Sequence, residues 1–565
     1  MQKFSRSLGR TLCLVGGALL AMPGLRAWAT GDAADAAMAT IRPEAIRADM
    51  RFLADDLLEG RGTGARGYDI AAAFVATRFE ALGLAPAGGQ GSYFQPVPLR
   101  SLRVDQSKSS FTLVRGGKER SLQLRQDALL GGNAGVADSA VEAAVVFVGY
   151  GVTAPESGYD DYKHIDVKGK IVAYLFGAPN FDSSLKAHYT SSLEKRRNAA
   201  AHGAAGLILI DDPVLEKLYS FTHRVRDLAI PEYRWLDPQG QPAHYHPELK
   251  AVGSLSLEET ARFFEGSGHT AEQVFAAAKA GKSRSFAMPL IAKLRTVTEW
   301  KELHSVNVAA KLEGSDPTLK AEHVVYTAHL DHLGISTPVN GDAIYNGALD
   351  NASGTAEILQ IARAFSSMQP RPRRSIVFVA VAGEEAGLLG SDYFASYPTV
   401  AQSSIVANVN TDEVEMLWPL RDVVAFGAEH STLHSVVARA AQRLNLAQSP
   451  DPMPEQVAFV RSDQYSFVRQ GIPAMMVSPG FKSEDPAIEP AKIFEQWAQT
   501  RYHQPSDDMQ QPGLDFESAA VFGRFAYLCG YEIAQDPARP TWNPGDFFGT
   551  HYAKKWAGGP GGGER

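Results

Sequence analysis

Cysteine is almost missing: among 565 residues only Cys13 and Cys529 carry a thiol. Cys13 falls in an N-terminal stretch that reads as a removable leader, so no intramolecular disulfide is expected to brace the mature fold. Arg10-Thr11-Leu12 precede Cys13 where a lipid-attachment site wants small residues, so no lipid anchor is expected either. Cys529, set among apolar neighbours, reads as a buried core thiol. A long apolar run is also lacking. The leader's own run, residues 11–22, is too short to span a bilayer comfortably. Basic Lys3, Arg6 and Arg10 precede it and Ala27-Trp28-Ala29 offers a small-x-small cleavage site, the pattern of a secretory signal peptide over 1–29. An exported chain, periplasmic or secreted, with no transmembrane segment after cleavage follows from that pattern. Positive charge is the third shortage. The formal charge is −8, and losing the leader removes Lys3, Arg6, Arg10 and Arg26 and no acid, leaving −12. A chain this acidic is not built to bind nucleic acid through phosphate contacts.

What the chain does contain is 45% hydrophobic and 21% charged residues, the balance of a soluble globular protein, over a length that calls for two or three domains. Residues 41–85 read as two helices. Ile46, Met50, Leu53 and Leu57 trace one face, Ile70, Phe74, Phe79 and Leu82 the next, and Gly60, Gly62, Gly64 and Gly67 break the chain between them. Near residue 140 the style changes to short β-rich runs at 144–150, 171–176 and 206–210, with an Ala-rich helix at 198–205, which predicts a small separate module. Residues 213–300 are mixed, with a helical stretch at 272–280. From 305 onward, runs at 324–328, 375–381, 405–409 and 474–477 alternate with helical patterns at 353–365 and 430–444. The apolar runs are nearly continuous, as in a sheet covered on both faces. The predicted fold class is therefore α/β, a mostly parallel mixed sheet flanked by helices, carrying an inserted β-rich module.

Chemistry gathers where these runs stop. Ala328-His329-Leu330-Asp331-His332-Leu333-Gly334 is followed by Gly347-Ala348-Leu349-Asp350-Asn351-Ala352-Ser353-Gly354, then Glu384-Glu385, Asn410-Thr411-Asp412 and Tyr502-His503. Ligands of an open α/β sheet bind outside the carboxyl ends of its strands. Three of the four predicted strands deliver His329, Glu384-Glu385 and Asp412 to that edge, and Asp350 arrives on the loop before a helix. Imidazole with carboxylate and no thiolate suits zinc in a hydrolytic site. No Arg or Lys lies nearby in sequence to balance these carboxylates. Two divalent ions about 3.5–4 Å apart, sharing one carboxylate, would neutralise them.

With these segments, including Tyr502-His503-Gln504-Pro505-Ser506-Asp507, the chain resembles the M28-type co-catalytic zinc exopeptidases, a family of aminopeptidases and glutamate carboxypeptidases. The resemblance is strong over 305–530 and weak over 41–85. It implies two Zn²⁺ per chain, one held by His329 and Asp412, the other by Glu385 and His503, with Asp350 as bridge. It also implies Glu384 as general base, Asp331 as the group that orients His329, Tyr502 as a donor to the oxyanion, and a cis peptide at Asp350–Asn351. The family commonly carries Ser-Asp-His where this chain reads Ser462-Asp463-Gln464, which puts substrate contacts there in question but none of the five ligand positions. Arg461 faces either the substrate or a rim salt bridge. His332 reads as structural or as a neighbour of the ligands, His244 and His246 as a surface loop, and His304 carries no signal. Val146-Phe147-Val148-Gly149-Tyr150-Gly151, Tyr159-Asp160-Asp161-Tyr162 and Asp166-Val167-Lys168-Gly169-Lys170 look like a protease-associated domain.

The resulting division is a signal peptide at 1–29, an N-terminal helical part of the peptidase domain at 30–115, the inserted protease-associated-like domain and connecting segment at 116–290, the zinc peptidase domain at 291–540, and a flexible tail at 541–565. The expected activity is zinc-dependent hydrolysis of terminal peptide bonds in a peptide substrate. An aminopeptidase is favoured, because a carboxypeptidase needs a basic cluster for the terminal carboxylate and Arg461 stands alone. A non-catalytic receptor-like protein on the same scaffold would be expected to have lost ligands, and a one-zinc cyclase is disfavoured by His329 together with Asp412.

Overall fold

The computed structural model describes residues 27–552; almost all of the expected leader, and residues 553–565 of the expected tail, lie outside the described residues. At the centre are four mutually parallel strands. His323–His329 pairs on one side with Ser375–Val381 and on the other with Ile405–Thr411, which pairs in turn with Ala474–Pro479. Every residue of all four is buried, the reason their sequences run apolar without alternation. Successive side chains still point to opposite faces. Val324, Tyr326 and Ala328 enter the larger core beneath the helices Pro43–Leu53, Gly354–Ser367 and Phe516–Gln535, while Val325 enters the core on the other face. Antiparallel strands flank the parallel centre on both sides. Phe286–Leu312 joins Ser375–Val381, and Asp422–Phe426 joins Ala474–Pro479. The sheet is mixed with a parallel centre, as the sequence predicts, and Cys529 is fully buried.

Between residues 105 and 298 lies the module. Its central strands Asp138–Phe147, Ile171–Leu175, Gly206–Ile210 and Ala251–Leu255 run parallel, and they enclose a core of their own that includes Phe111, Phe147, Ile208 and Phe263. The boundaries differ from those expected. Residues 30–115 are not helical throughout, because Phe94–Val104 and Ser110–Arg115 are strands. Nor does the module stop at 290. The 27-residue strand Phe286–Leu312 pairs with Ser110–Arg115 and Asp138–Phe147 in the module, then with Phe94–Val104 and Ser375–Val381 in the main sheet. One uninterrupted strand thus belongs to both sheets.

The expected flexible tail from 541 needs a further correction. Trp542 bridges to Ser431, and the short helix Phe547–Tyr552 sets Phe548, fully buried, among Phe459 and Phe467. Trp542 and Phe548 are aromatic anchors upstream of the glycine run.

Candidate metal centre

The parallel strands stop on one rim, and the side chains just past their ends meet there. His329, the last residue of its strand, turns Nε2 toward Asp412 Oδ1 at 2.9 Å and Asp350 Oδ1 at 3.2 Å. The other oxygen of Asp350 lies 3.2 Å from His503 Nε2, which also lies 3.1 Å from Glu385 Oε2. One carboxylate therefore stands between two imidazoles, one oxygen to each. The loop that delivers it is tightly made. Gly347 has φ +59°, and a Cβ there would collide with the Asp350 carbonyl and the His332 ring. Fully buried Asp507 accepts the N–H groups of Leu349 and Asp350 at 3.0 Å each, tying the His503 segment to the Asp350 loop. The Asp350–Asn351 peptide is cis, as the resemblance implies.

Burial alone would lower the proton affinity of His329, but Asp412 and Glu384 more than offset it and hold the imidazole well above its usual range. Glu384 moves the same way for the opposite reason. Burial raises its carboxyl well above an ordinary glutamate, and Asp412, Glu385 and Asp463 add to this against the pull of His329. Asp331 works through two different atoms. Its backbone carbonyl accepts from His329 Nδ1 at 3.1 Å, whereas its carboxylate lies 3.9 Å from that nitrogen. The carboxylate instead accepts the Glu384 backbone N–H at 3.1 Å and the Thr63 hydroxyl at 3.0 Å, and burial pushes it up to about 6. Tyr502 stacks on His503 with centroids 3.9 Å apart, and its hydroxyl accepts from Arg461 at 3.2 Å.

Four residues here escaped the sequence reading or were left undecided. His332 is buried with Nδ1 2.5 Å from Glu385 Oε1 and 3.8 Å from Asp350 Oδ2, so it belongs to the cluster. Its position right after Asp331 was the available signal. Arg61 is 1% exposed and donates to the carbonyls of Leu53, Leu330, Asn346 and Gly347, pinning both loops from beneath. It is the nearby cation the sequence seemed to lack, drawn in from 268 residues upstream of His329, where only its glycine neighbours stood out. Gln464 is fully buried, accepting from Asn410 at 3.1 Å and donating to the Phe459 carbonyl at 2.8 Å, so it braces the Asp412 strand. Ser462 donates to Asp412 Oδ2 at 2.5 Å. His244, expected on a surface loop, reaches Asp392 at 2.7 Å, where Trp235 and Arg469 also converge.

The donor set fits a divalent metal. His329, Asp350 and Asp412 can offer one ligand atom each within 4.8 Å of one another, and so can His332, Asp350 and Glu385. His503 Nε2 is buried without a hydrogen-bond partner while facing two carboxylates, an arrangement that a shared cation satisfies. Beside the cluster opens a cavity of about 120 Å³, reached past Asp350, Glu384 and Asp412.

An α/β sheet whose parallel strands end in this imidazole and carboxylate cluster presents a candidate metal centre at the sheet edge. Residues 307–527 match the model of peptidase family M28. A probable zinc metalloprotease of Pyrenophora teres f. teres is 27% identical over 266 residues, covering 41% of this chain and 52% of the relative. An aminopeptidase of Mus musculus is 40% identical over 76 residues, 13% of this chain and 10% of the relative. The chain thus spans about half the length of the first curated relatives it matches. Among solved structures, an aminopeptidase from Aneurinibacillus sp. strain AM-1 covers 90% of this chain and 97% of its own, with TM-score 0.50 and 19% identity, a likeness of fold.

Proposed function

We propose that this protein is a zinc-dependent exopeptidase, most simply an aminopeptidase, that removes the terminal residue of peptides. The observation that carries the reading is the Asp350 carboxylate, with one oxygen toward His329 and the other toward His503, flanked by Asp412 on one side and Glu385 on the other. In this reading His329 and Asp412 would hold one zinc, Glu385 and His503 a second, and Asp350 would be the carboxylate they share. Zinc so held supplies a Lewis acid for the scissile carbonyl and brings the pKa of water down toward neutrality.

The rest is the work of the chain. Glu384 takes the proton of the attacking water and passes it to the leaving amine, a role suited to a carboxyl whose proton affinity is raised. Asp331 fixes Glu384 through its backbone N–H and His329 through its own carbonyl. Tyr502 donates its hydroxyl proton to the oxyanion, with Arg461 3.2 Å behind it. Glu384 and Asp412 accept the substrate's α-ammonium. Arg461 favours a second reading, a carboxypeptidase gripping a terminal carboxylate. Against it, Glu413, Glu415 and Asp451 line the same cavity and Arg461 is the only cation among its lining residues, too few for a terminal carboxylate beside three acids.

The module resembles a protease-associated domain and acts here as an access element. Its Asp227 is pushed up to about 6 by burial and feels the charges of His503 and Glu385, so the module reaches the metal side. No helix among the described residues is long and apolar enough to cross a membrane, and we assign the chain to an exported compartment on its leader. The test is hydrolysis of aminoacyl and N-acetylated dipeptides with and without a strong chelator, with zinc counted by mass spectrometry. Chelator-sensitive cleavage of free-amine substrates, with roughly two zinc per chain, is expected. Activity surviving thorough chelation overturns the zinc mechanism, and cleavage of acetylated substrates alone overturns the aminopeptidase assignment.

A further inference from the structure

We propose that the cavity beside the metal centre selects peptides whose terminal residue bears a cationic side chain, of the lysine or arginine type; this rests on the aminopeptidase reading above. The cavity, of about 120 Å³, opens directly beside Asp350, Glu384 and Asp412, where the side chain of a substrate's terminal residue would lie. Its walls have two kinds of surface. Phe426, Met476 and Phe481 supply apolar area suited to an aliphatic stem, and Glu413, Glu415 and Asp451 supply carboxylates. The one cation among the lining residues is Arg461, already turned to the Tyr502 hydroxyl.

Glu415 is the sharpest of these features. It is 8% exposed and accepts the Ser478 hydroxyl at 3.1 Å; burial with only this neutral partner pushes its carboxyl up to about 8, so a cation seated beside it would draw it into its charged form. Asp451 accepts the Met453 N–H at 2.8 Å, again from a neutral donor. A leucine-like side chain seated here would strip water from these carboxylates and give them no donor, which is costly. A lysyl or arginyl side chain lays its methylenes on the aromatic and methionine surface and brings donors to the acids. Asp451 and Phe426 also border a second, larger cavity of about 690 Å³, so the charged tip need not be fully dehydrated.

The experiment compares kcat/KM of the zinc-loaded full chain on lysyl-, arginyl-, leucyl- and glutamyl-p-nitroanilide, for the native protein, Glu415→Leu and Asp451→Asn. The native protein is expected to favour lysyl and arginyl over leucyl by about tenfold or more, with glutamyl poorest. In Glu415→Leu the lysyl-to-leucyl ratio should fall by at least about tenfold, mainly through KM. Calorimetry on a Glu384→Gln background should find lysine binding more tightly than norleucine, and Glu415→Leu should remove the difference. If Glu415→Leu does not fold, Asp451→Asn gives the same ratio from the other side of the cavity. A native preference for leucyl, or an equal loss on all four substrates in the variants, overturns the proposal and leaves the aminopeptidase reading standing. No hydrolysis of any free-amine substrate overturns both.

Discussion

A carboxylate serves as a general base when its proton affinity exceeds an ordinary glutamate's and its position is fixed. Glu384 has both properties, the first from burial among Asp412, Glu385 and Asp463, the second from the Asp331 carboxylate on its backbone N–H. Glu384→Gln should lower kcat by about 10²–10⁴-fold while zinc content, read by mass spectrometry, stays at the native level. A fall in zinc content instead would make Glu384 a ligand. Arg61 is a residue of another kind, since it touches no candidate ligand side chain and yet holds the carbonyls of Leu330 and Gly347 on the two loops that present His329 and Asp350. Arg61→Leu strands several buried carbonyls and should cost at least about 3 kcal/mol in chemical denaturation, each unsatisfied group contributing on the order of 1–3. Lost activity with undiminished stability would refute that account.

At the scale of elements, the four central strands were legible because both their faces are buried, which writes a continuous apolar run into the sequence. The antiparallel strands outside that centre are not legible in the same way. Phe94–Val104 is half exposed and interrupted by Pro96 and Pro98, so its buried Val97, Leu99 and Leu102 did not stand out. The same contrast governs the site. His329, Glu384-Glu385 and Asp412 fall in motifs at strand ends, Asp350 and His503 in motifs on loops, and all six come together in the structure, whereas Arg61, which works through backbone carbonyls, has no motif. His332 lay in the right motif but its use depends on where Glu385 turns, which spacing does not encode. The central strand also carries a titrating group at its far end. His323 is pushed down to about 4 by burial and by Lys311, from 6.5 in the unfolded chain. The folded state therefore takes up this proton less readily, and the stability that His323 contributes is present above pH 6.5 and lost as pH falls toward 4. His323→Asn should flatten that part of the pH–stability curve measured by urea denaturation; an unchanged slope would mean that His323 does not control it.

For the molecule as a whole, the metal rim is supported from both faces and from the far end of the chain. Phe548 packs against Phe459, and Phe459 gives its carbonyl to Gln464, which braces Asn410 two residues before Asp412. Phe548→Ala should cost about 3–5 kcal/mol in denaturation, the range for a buried aromatic truncation. A loss under 1 kcal/mol would return these residues to the mobile tail that the glycine-rich terminus suggested. The contact between module and main domain is equally distributed, with Asp392 accepting from Trp235 and Arg469 and pairing with His244.

The strand Phe286–Leu312 also dictates an order of assembly. Phe94–Val104 leaves the ribosome roughly two hundred residues before the segment that pairs with it from Thr298 to Val308. Everything the module needs for its own sheet is made by residue 297. The module's parallel strands pair across roughly 25 to 45 residues, from Val145 with Ile171 to Gly206 with Ala251, and such pairings close sooner than one spanning about two hundred. The module is thus placed to fold first and to offer its last strand as the template on which the waiting N-terminal edge, and then the parallel centre, are laid down.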